Sequence, residues 1–505
     1  MALNPVLLEK LNAALQRMPV AATRRDATLP AVPGKVHAVI GMRRAGKTTF
    51  LHQLHAERLA TRRPEQALYL SFDDDRLMDL PLEQLNQLLE EYYRRYPDYR
   101  GHQTVTWLFD EIQWVTGWER FTRRLMDTER VEIVVSGSSA KLLSREVHTS
   151  LRGRGIETII RPFSFREFLR HRASEPERPA DRLTAAERSR VESLLVEFLS
   201  TGGFPEVQAL ARDTRLELLQ SYVDTVLFRD ILERHRISQV AALRWLTRQF
   251  LKSAAASFSV HRFHQDLRSQ GLGVSKDALH AMVAYLEDAF LIRSVALATE
   301  SERRRNSNPR KVYPVDQGLI PAFDRSGRTN QGHALETVVL HELDRRRAEV
   351  GYVKTAEGLE VDFLARFRDG REELVQVCSD LTQPETLNRE LRALAEAGRE
   401  HPKALRRILV ATSDAVPPQS PPDVLIQPAY LWLLEVLTGS GDFGTQARRS
   451  RRTAKTATAR TRNSSAAPRP RSRAPTHSRR PSPQPSPASA RGSQKPFAHG
   501  EGAVR

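Results

Sequence analysis

The chain has 505 residues, more than one hydrophobic core accommodates, so two to four domains are expected. Its 78 Lys and Arg exceed 61 Asp and Glu, and the excess sits at the end: residues 441–505 hold 15 basic against 2 acidic residues, the preceding 440 hold 63 against 59. A basic nucleic-acid binder inferred from overall charge alone is therefore excluded, as is membrane insertion, since no stretch nears the ~18 apolar residues of a spanning helix.

Residues 1–30 open with MALNPVLLEKLNAALQRMPV, which reads as an amphipathic N-terminal helix rather than a leader peptide. Short apolar runs follow at Val36–Ile40, Ala67–Phe72, Val105–Phe109, Val131–Val135 and Glu157–Ile160, with helical patterns such as Leu82–Arg95 between them. Buried strands alternating with helices predict a parallel sheet in an α/β domain over 31–170. Residues 171–240 read as a linker and a helical lid. Over 241–310, Ser259–Val295 reads as helix, turn, helix and strand, a winged-helix pattern. Phe263 and Leu267 share one face, Gly271-Leu272-Gly273 turns the chain, and Ser275 caps the next helix. Strands at Val361–Phe367, Glu373–Cys378 and Arg407–Ala411 with a helix at Glu385–Ala397 predict a second α/β unit over 311–437. Residues 438–505, Arg-, Ser- and Pro-rich, carry too little apolar surface to offset the entropy of ordering and are expected to be disordered. The lone Cys378 excludes an internal disulfide and a cysteine-rich zinc site, and a reducing cytoplasm fits it best.

The chemistry concentrates in the first domain. Gly41-Met42-Arg43-Arg44-Ala45-Gly46-Lys47-Thr48 matches G-x-x-x-x-G-K-[ST], after a strand and opening a helix with Thr48 and Thr49. Its glycines let main-chain N–H groups face phosphates, and the helix N-terminus adds partial positive charge. Lys47 is expected to neutralise β/γ-phosphate charge and Thr48 to offer a hydroxyl to magnesium. Thr106–Glu111 is an apolar strand ending in two acids. Asp110 is assigned to the Mg2+ shell, and Glu111 to orienting and deprotonating the attacking water. ATP and Mg2+ are thus the expected cofactors. An extra strand between the motifs, with Glu directly after Asp, resembles the AAA-type branch of P-loop ATPases. That resemblance implies a γ-phosphate sensor among Ser136, Ser138 and Ser139, with Ser138 and Ser139 favoured; helix capping is the alternative role. It also implies an arginine, Arg152 or Arg154, reaching a neighbouring protomer's nucleotide in a homo-oligomer. The alternative is a solvated basic turn or a phosphate contact to nucleic acid.

FDDDRL, LFDEIQWVTGWERF, SGSSAKLLSREVHTSLRGRG, RPFSFREFL, GGFPEV and LFRDILERH together resemble a prokaryotic family of AAA-type ATP-binding proteins with a C-terminal domain of unknown function. The resemblance covers residues 1–437 and implies a restriction-endonuclease-like fold for the last domain. Glu336 and Asp362 match two of its metal-binding acids. Gln376 stands where the third carboxylate belongs and Cys378 where the lysine belongs, so nuclease activity is not expected. Arg262, His264, Arg268, Lys276 and His280 are candidate phosphate contacts, and DNA through the winged helix and basic tail is one expected partner. Packing or oligomer contact is the competing reading of the same element. The expected function is a Mg-dependent ATPase that moves the winged-helix and C-terminal parts. A DNA- or protein-binding switch with little turnover is the alternative, and an ATP-gated nuclease comes third.

Overall fold

The computed structural model describes residues 2–137, 151, 153–324, 330–418 and 421–435. The tail expected to be disordered lies outside them.

Strands β1 (Val36–Ile40), β2 (Ala67–Ser71), β3 (Val105–Asp110), β4 (Val131–Ser136) and β5 (Gly155–Ile159) form a wholly parallel sheet in the order β2-β3-β4-β1-β5. Both faces are covered over β1 to β4, which is why those runs are largely apolar, whereas the edge strand β5 is half-buried and carries Glu157 and Thr158. Val36, Ala38 and Ile40 share one core with helices α1 (Pro5–Leu15), α3 (Leu82–Arg95) and α4 (Trp118–Thr128). Val39, Leu108 and Val134 pack on the other side against Phe50, Leu51 and Leu54 of α2 (Lys47–Leu59). The predicted α/β domain is therefore present, and all its strands lie where the apolar runs placed them.

After α5 (Phe165–His171) the chain is helical. Helix α6 (Ala185–Thr201) packs toward the C-terminal sheet, whereas α7 (Arg212–Thr225) runs into a π-helical stretch, Val226–Leu232. Then come α8 (Val240–Lys252), β6 (Ser257–Phe258), α9 (Val260–Ser269), α10 (Lys276–Asp288), β7 (Ile292–Val295) and β8 (Arg310–Pro314), with the strands ordered β6-β8-β7. Ser259 and Ser275 cap α9 and α10 by accepting main-chain N–H bonds. The loop between β7 and β8 carries a short helix, α11 (Glu302–Ser307). Strand β8 runs across residues 310 and 311, between the stretch read as winged helix and the one read as the second α/β unit.

The C-terminal sheet has the order β13-β12-β11-β10-β9: antiparallel from β9 (Glu349–Lys354) through β10 (Glu360–Arg366) to β11 (Glu372–Cys378), then parallel through β12 (Leu405–Val410) and β13 (Val424–Pro428). Helix α12 (Gln331–Arg345) covers one face and α13 (Pro384–Glu400) the other. The edge strands β9 and β13 are the elements the apolar pattern did not reveal. Each is partly solvent-facing, so neither forms a continuous apolar run. Among the described residues no helix is long and apolar enough to cross a membrane.

His341 on α12 is buried, and its Nε2 lies 2.7 Å from the Pro314 carbonyl on β8. Burial pushes its pKa from 6.5 down to about 4, so the folded protein holds it neutral. A depressed histidine stabilises the fold above pH 6.5 and forfeits that stability as pH falls toward 4. We expect His341→Gln, which keeps a donor, to remove up to about 3 kcal/mol of the acid-side loss. Chemical unfolding of wild type and variant across pH 4–7 checks this; parallel curves refute it.

Candidate active site

Strand β1 runs straight into the phosphate loop, and the backbone there admits little but glycine. Gly41 has φ +144°, and a Cβ would lie 2.1 Å from the Ile160 carbonyl oxygen. Gly46, at φ +98°, takes the left-handed conformation just before Lys47, the first residue of α2. Lys47 is only 6% exposed, and its ammonium donates to the carbonyls of Gly41 and Met42, each at 3.1 Å. Burial lowers its pKa, and the negative charge of Glu111 and then Asp110 counteracts this. Met42 and Ala45 are buried, whereas Arg44, Thr48 and Thr49 are exposed.

The sheet order places the carboxyl end of β3 one strand removed from that of β1. Asp110 therefore faces the same crevice as the loop. Its carboxylate is fixed at both oxygens: Ser136 donates to Oδ1, and Tyr69 donates to Oδ2 at 2.7 Å. Glu111 follows in a left-handed conformation, φ +55°, unusual for a residue with a Cβ. Its carboxylate accepts a bond from the Gln113 amide, and its N–H points to Ser136 Oγ at 3.4 Å. Of the serines considered as sensors, Ser136 is buried and bonded to Asp110. Ser138, Ser139 and Arg152 lie outside the described residues. Arg154 pairs with Asp127, and its carbonyl accepts from Val36 N–H at the start of β1, the end opposite the loop.

Several residues without a motif complete the site. Arg25, 4% exposed, donates through Nη1 to the Ala45 carbonyl at 2.9 Å and through Nη2 to the Arg161 carbonyl. Its Nε lies 3.1 Å from Glu167, and its guanidinium covers the Phe163 ring. Arg43 makes a two-pronged ion pair with buried Asp230 of the π-helical stretch, at 2.9 and 3.0 Å. Arg44 lies 3.4 Å from Glu206. The region read as linker and lid thus supplies carboxylates to both arginines of the loop. Gly202-Gly203 has no room for side chains, because Asp316 and the Phe163 carbonyl press against it. Asp316, pushed up to about 6 by burial, accepts from Gly203 N–H at 2.7 Å. No spacing rule connects Arg25, Asp230 or Asp316 to the loop, so they surface only in three dimensions.

The C-terminal unit holds a second charged cluster. Lys311 of β8, buried, places its ammonium 3.2 Å from Glu336, 2.8 Å from Glu360 and 2.9 Å from Asp362. Tyr313 donates to Glu336 at 2.7 Å, and Val377 N–H to Asp362 at 2.9 Å. Burial and then Asp362 raise the Glu336 pKa well above the usual carboxylate range. The two acids matched in sequence do meet, and a lysine joins them from a different strand. Gln376 accepts the Asp362 N–H, at 3.2 Å, and its side chain also hydrogen-bonds Glu390, while half-buried Cys378 contacts the Asp380 carbonyl at 3.1 Å. Among the described residues, no three His, Cys, Asp or Glu side chains are grouped as a metal ion would require.

Residues 33–169 match the model of an AAA domain, and residues 192–330 match a domain of unknown function, DUF8612. An uncharacterized protein of Methanocaldococcus jannaschii, MJ1544, is 33% identical over 378 residues, 74% of this chain and 81% of its own. The chain belongs to that family of AAA-domain proteins. An uncharacterized Haemophilus influenzae protein is 28% identical over 66% of this chain and 80% of its own. The Walker-type ATPase PABY2304 of Pyrococcus abyssi aligns over 63% of this chain and 95% of its own, at 14% identity and a TM-score of 0.34. The AAA assignment rests on the family match, the sheet order and the loop.

Arg25 braces the AAA domain's loop from behind. Arg25→Ala takes the guanidinium donor from the Ala45 carbonyl and the cation from Glu167, which keeps only its main-chain bonds from Asp26 and Ser164. ATP affinity is expected to fall about tenfold or more, given ~1.5–3 kcal/mol for a charge-assisted bond. Arg25→Lys has one donor centre for two carbonyls and should recover only part of the loss. Titration calorimetry of the three proteins measures it; equal affinities contradict the brace.

Proposed function

We propose that this chain binds ATP with magnesium and hydrolyses it to ADP and phosphate. The observation that carries the proposal is Lys47, a buried ammonium folded onto its own loop carbonyls within electrostatic reach of Glu111 and Asp110. The residues fit the nucleotide: a loop with no room for a Cβ at Gly41, an ammonium with only carbonyl partners, an exposed Thr48, and an Asp110 held at both oxygens. Thr48 and Asp110 would hold magnesium, which when bound neutralises charge on the phosphate oxygens. Lys47 would leave the Gly41 and Met42 carbonyls for the β/γ-phosphates, a better exchange for a desolvated cation. Glu111 would accept the proton of a water whose oxygen forms the new bond to the γ-phosphorus as the bond to ADP breaks.

Arg43 supports coupling of this chemistry to movement. Its guanidinium fork is engaged by Asp230, so a phosphate that recruits Arg43 loosens the lid helix from the loop. The order helix, strand, two helices and hairpin from α8 to β8 supports the winged-helix reading, which favours DNA or protein as what moves. Arg154 lies too far from its own loop to reach its own nucleotide, so a role for it there requires a second copy of the chain.

Lys47→Ala should bind ATP about 10- to 100-fold more weakly. Glu111→Gln should keep affinity but lose about 10²- to 10⁴-fold in phosphate release. Equilibrium binding and phosphate-release assays in magnesium buffer decide this; wild type that binds no ATP overturns it, and binding without turnover leaves the switch reading.

The C-terminal cluster adds no hydrolysis to this proposal, because the Lys311 ammonium already balances the acids that a nuclease would give to metal. Supercoiled plasmid is expected to remain intact with wild type and with Asp362→Ala alike, in magnesium or manganese, with or without ATP. Cleavage by wild type that is lost in the variant would restore the nuclease reading.

A further inference from the structure

We infer a phosphate-binding cleft between the β7–β8 loop and the C-terminal sheet, shaped for the backbone of a nucleic acid. The cleft has a volume of about 220 Å³, and Arg293, Arg305, Arg310 and Arg366 line it from four different elements. Main-chain hydrogen bonds join its walls. Ala298 N–H bonds the Tyr352 carbonyl at 2.8 Å, and Tyr352 N–H bonds the Ala296 carbonyl at 3.0 Å, so the start of the loop is stitched to β9. Gly351 leaves no room there: a Cβ would lie 2.9 Å from that of Ala298. Arg305 and Arg366 are oriented by Glu302 at 3.2 Å and Glu372 at 2.9 Å.

Arg293 also faces Asp344 at 3.6 Å and Arg366 faces Glu300 at 3.6 Å, so the uncompensated positive charge of this region is that of Arg303, Arg304 and Arg310. Arg310 has only a 3.4 Å contact to the Ser294 hydroxyl, and no ion pair joins Arg303, Arg304 or Arg310 to an acid among the described residues. Arg303 and Arg304 are exposed on α11, so the positive row continues from the cleft onto the surface. A guanidinium fork suits a phosphate oxygen pair, and a row of them suits a polymer of phosphates better than one free anion. Glu287 and Glu349 also line it, Glu287 accepting from the Ser294 N–H at 3.1 Å; the rest of the lining is Ser294 and aliphatic residues, with no aromatic slot for a base, so the expected contact is to the sugar–phosphate chain and indifferent to sequence. These residues differ from the α9 and α10 cations singled out in the sequence, and none belongs to the ATP site.

The test uses the full-length protein without nucleotide, so its outcome is independent of the ATPase reading. Anisotropy of labelled duplex DNA and duplex RNA is measured over a salt series for wild type and for the triple variant Arg303→Ser, Arg304→Ser, Arg310→Ser. For at least one polymer, affinity should fall and the slope of log K against log salt should shrink by about 2–3, near 0.9 per phosphate contact. Arg310→Ser alone should shrink it by about one. Unchanged ATP affinity and thermal midpoint show that the fold persists. Equal slopes for wild type and triple variant with both polymers overturn the inference, placing any binding on the tail or elsewhere. So does polyglutamate binding that the variant loses while nucleic-acid binding is untouched, which would assign the cleft to an acidic protein segment.

Discussion

A charged ammonium held out of water is the constraint around which the AAA domain is arranged. Burial of Lys47 is unfavourable in itself, and the pKa it lowers records that cost. Two carbonyls of its own loop, with Glu111 and Asp110 across the crevice, make the position tenable. That requires a backbone curled tightly enough to turn carbonyls inward, hence Gly41 against Ile160 and Gly46 in the left-handed region. It also requires a rigid floor, supplied by Arg25 and by the parallel strands that end at the same crevice. An ammonium whose protein partners are only carbonyls exchanges them readily for oxygens carrying full negative charge, so the same arrangement serves stability without nucleotide and affinity with it.

Buried charges recur at the joints between parts. Arg25 meets Glu167, Arg43 meets Asp230, Asp316 receives N–H bonds from the Gly203 turn, and Lys311 meets three acids. Such pairs contribute little net stability compared with apolar packing, but they tolerate few alternative geometries. Their placement fixes how the loop, the helical region and the C-terminal sheet meet, while the large apolar clusters supply the cohesive energy.

The sequence was most legible where one local pattern determines the outcome. Four largely buried apolar runs and a half-buried fifth at the sheet edge became five parallel strands, and the phosphate-loop motif lay between the strand and helix that its spacing demands. Legibility failed wherever function depended on residues distant in the chain. Arg25 stands 20 positions from the carbonyl it holds, and Asp230 stands 187 from Arg43. The C-terminal cluster is the sharpest case. Reading one strand suggested that Cys378 had replaced a lysine, yet Lys311 reaches the acids from β8. Alternation along a strand shows which side chains share a face, not which neighbour fills the space before it. The edge strands β9 and β13 escaped notice for a related reason, because half of each is bathed in solvent.

Strand β8 closes the hairpin of the helical region with Val312 and Tyr313 opposite β7, while Lys311 of the same strand is buried among the acids of the C-terminal sheet. Five residues are therefore held in common by two architectural parts. Neither part can be excised, swapped for a homologue's or duplicated on its own without leaving one side a strand short or the other an uncompensated trio of acids. Over evolutionary time such a shared strand welds two modules into one heritable piece, so shuffling is expected to have moved them as a pair.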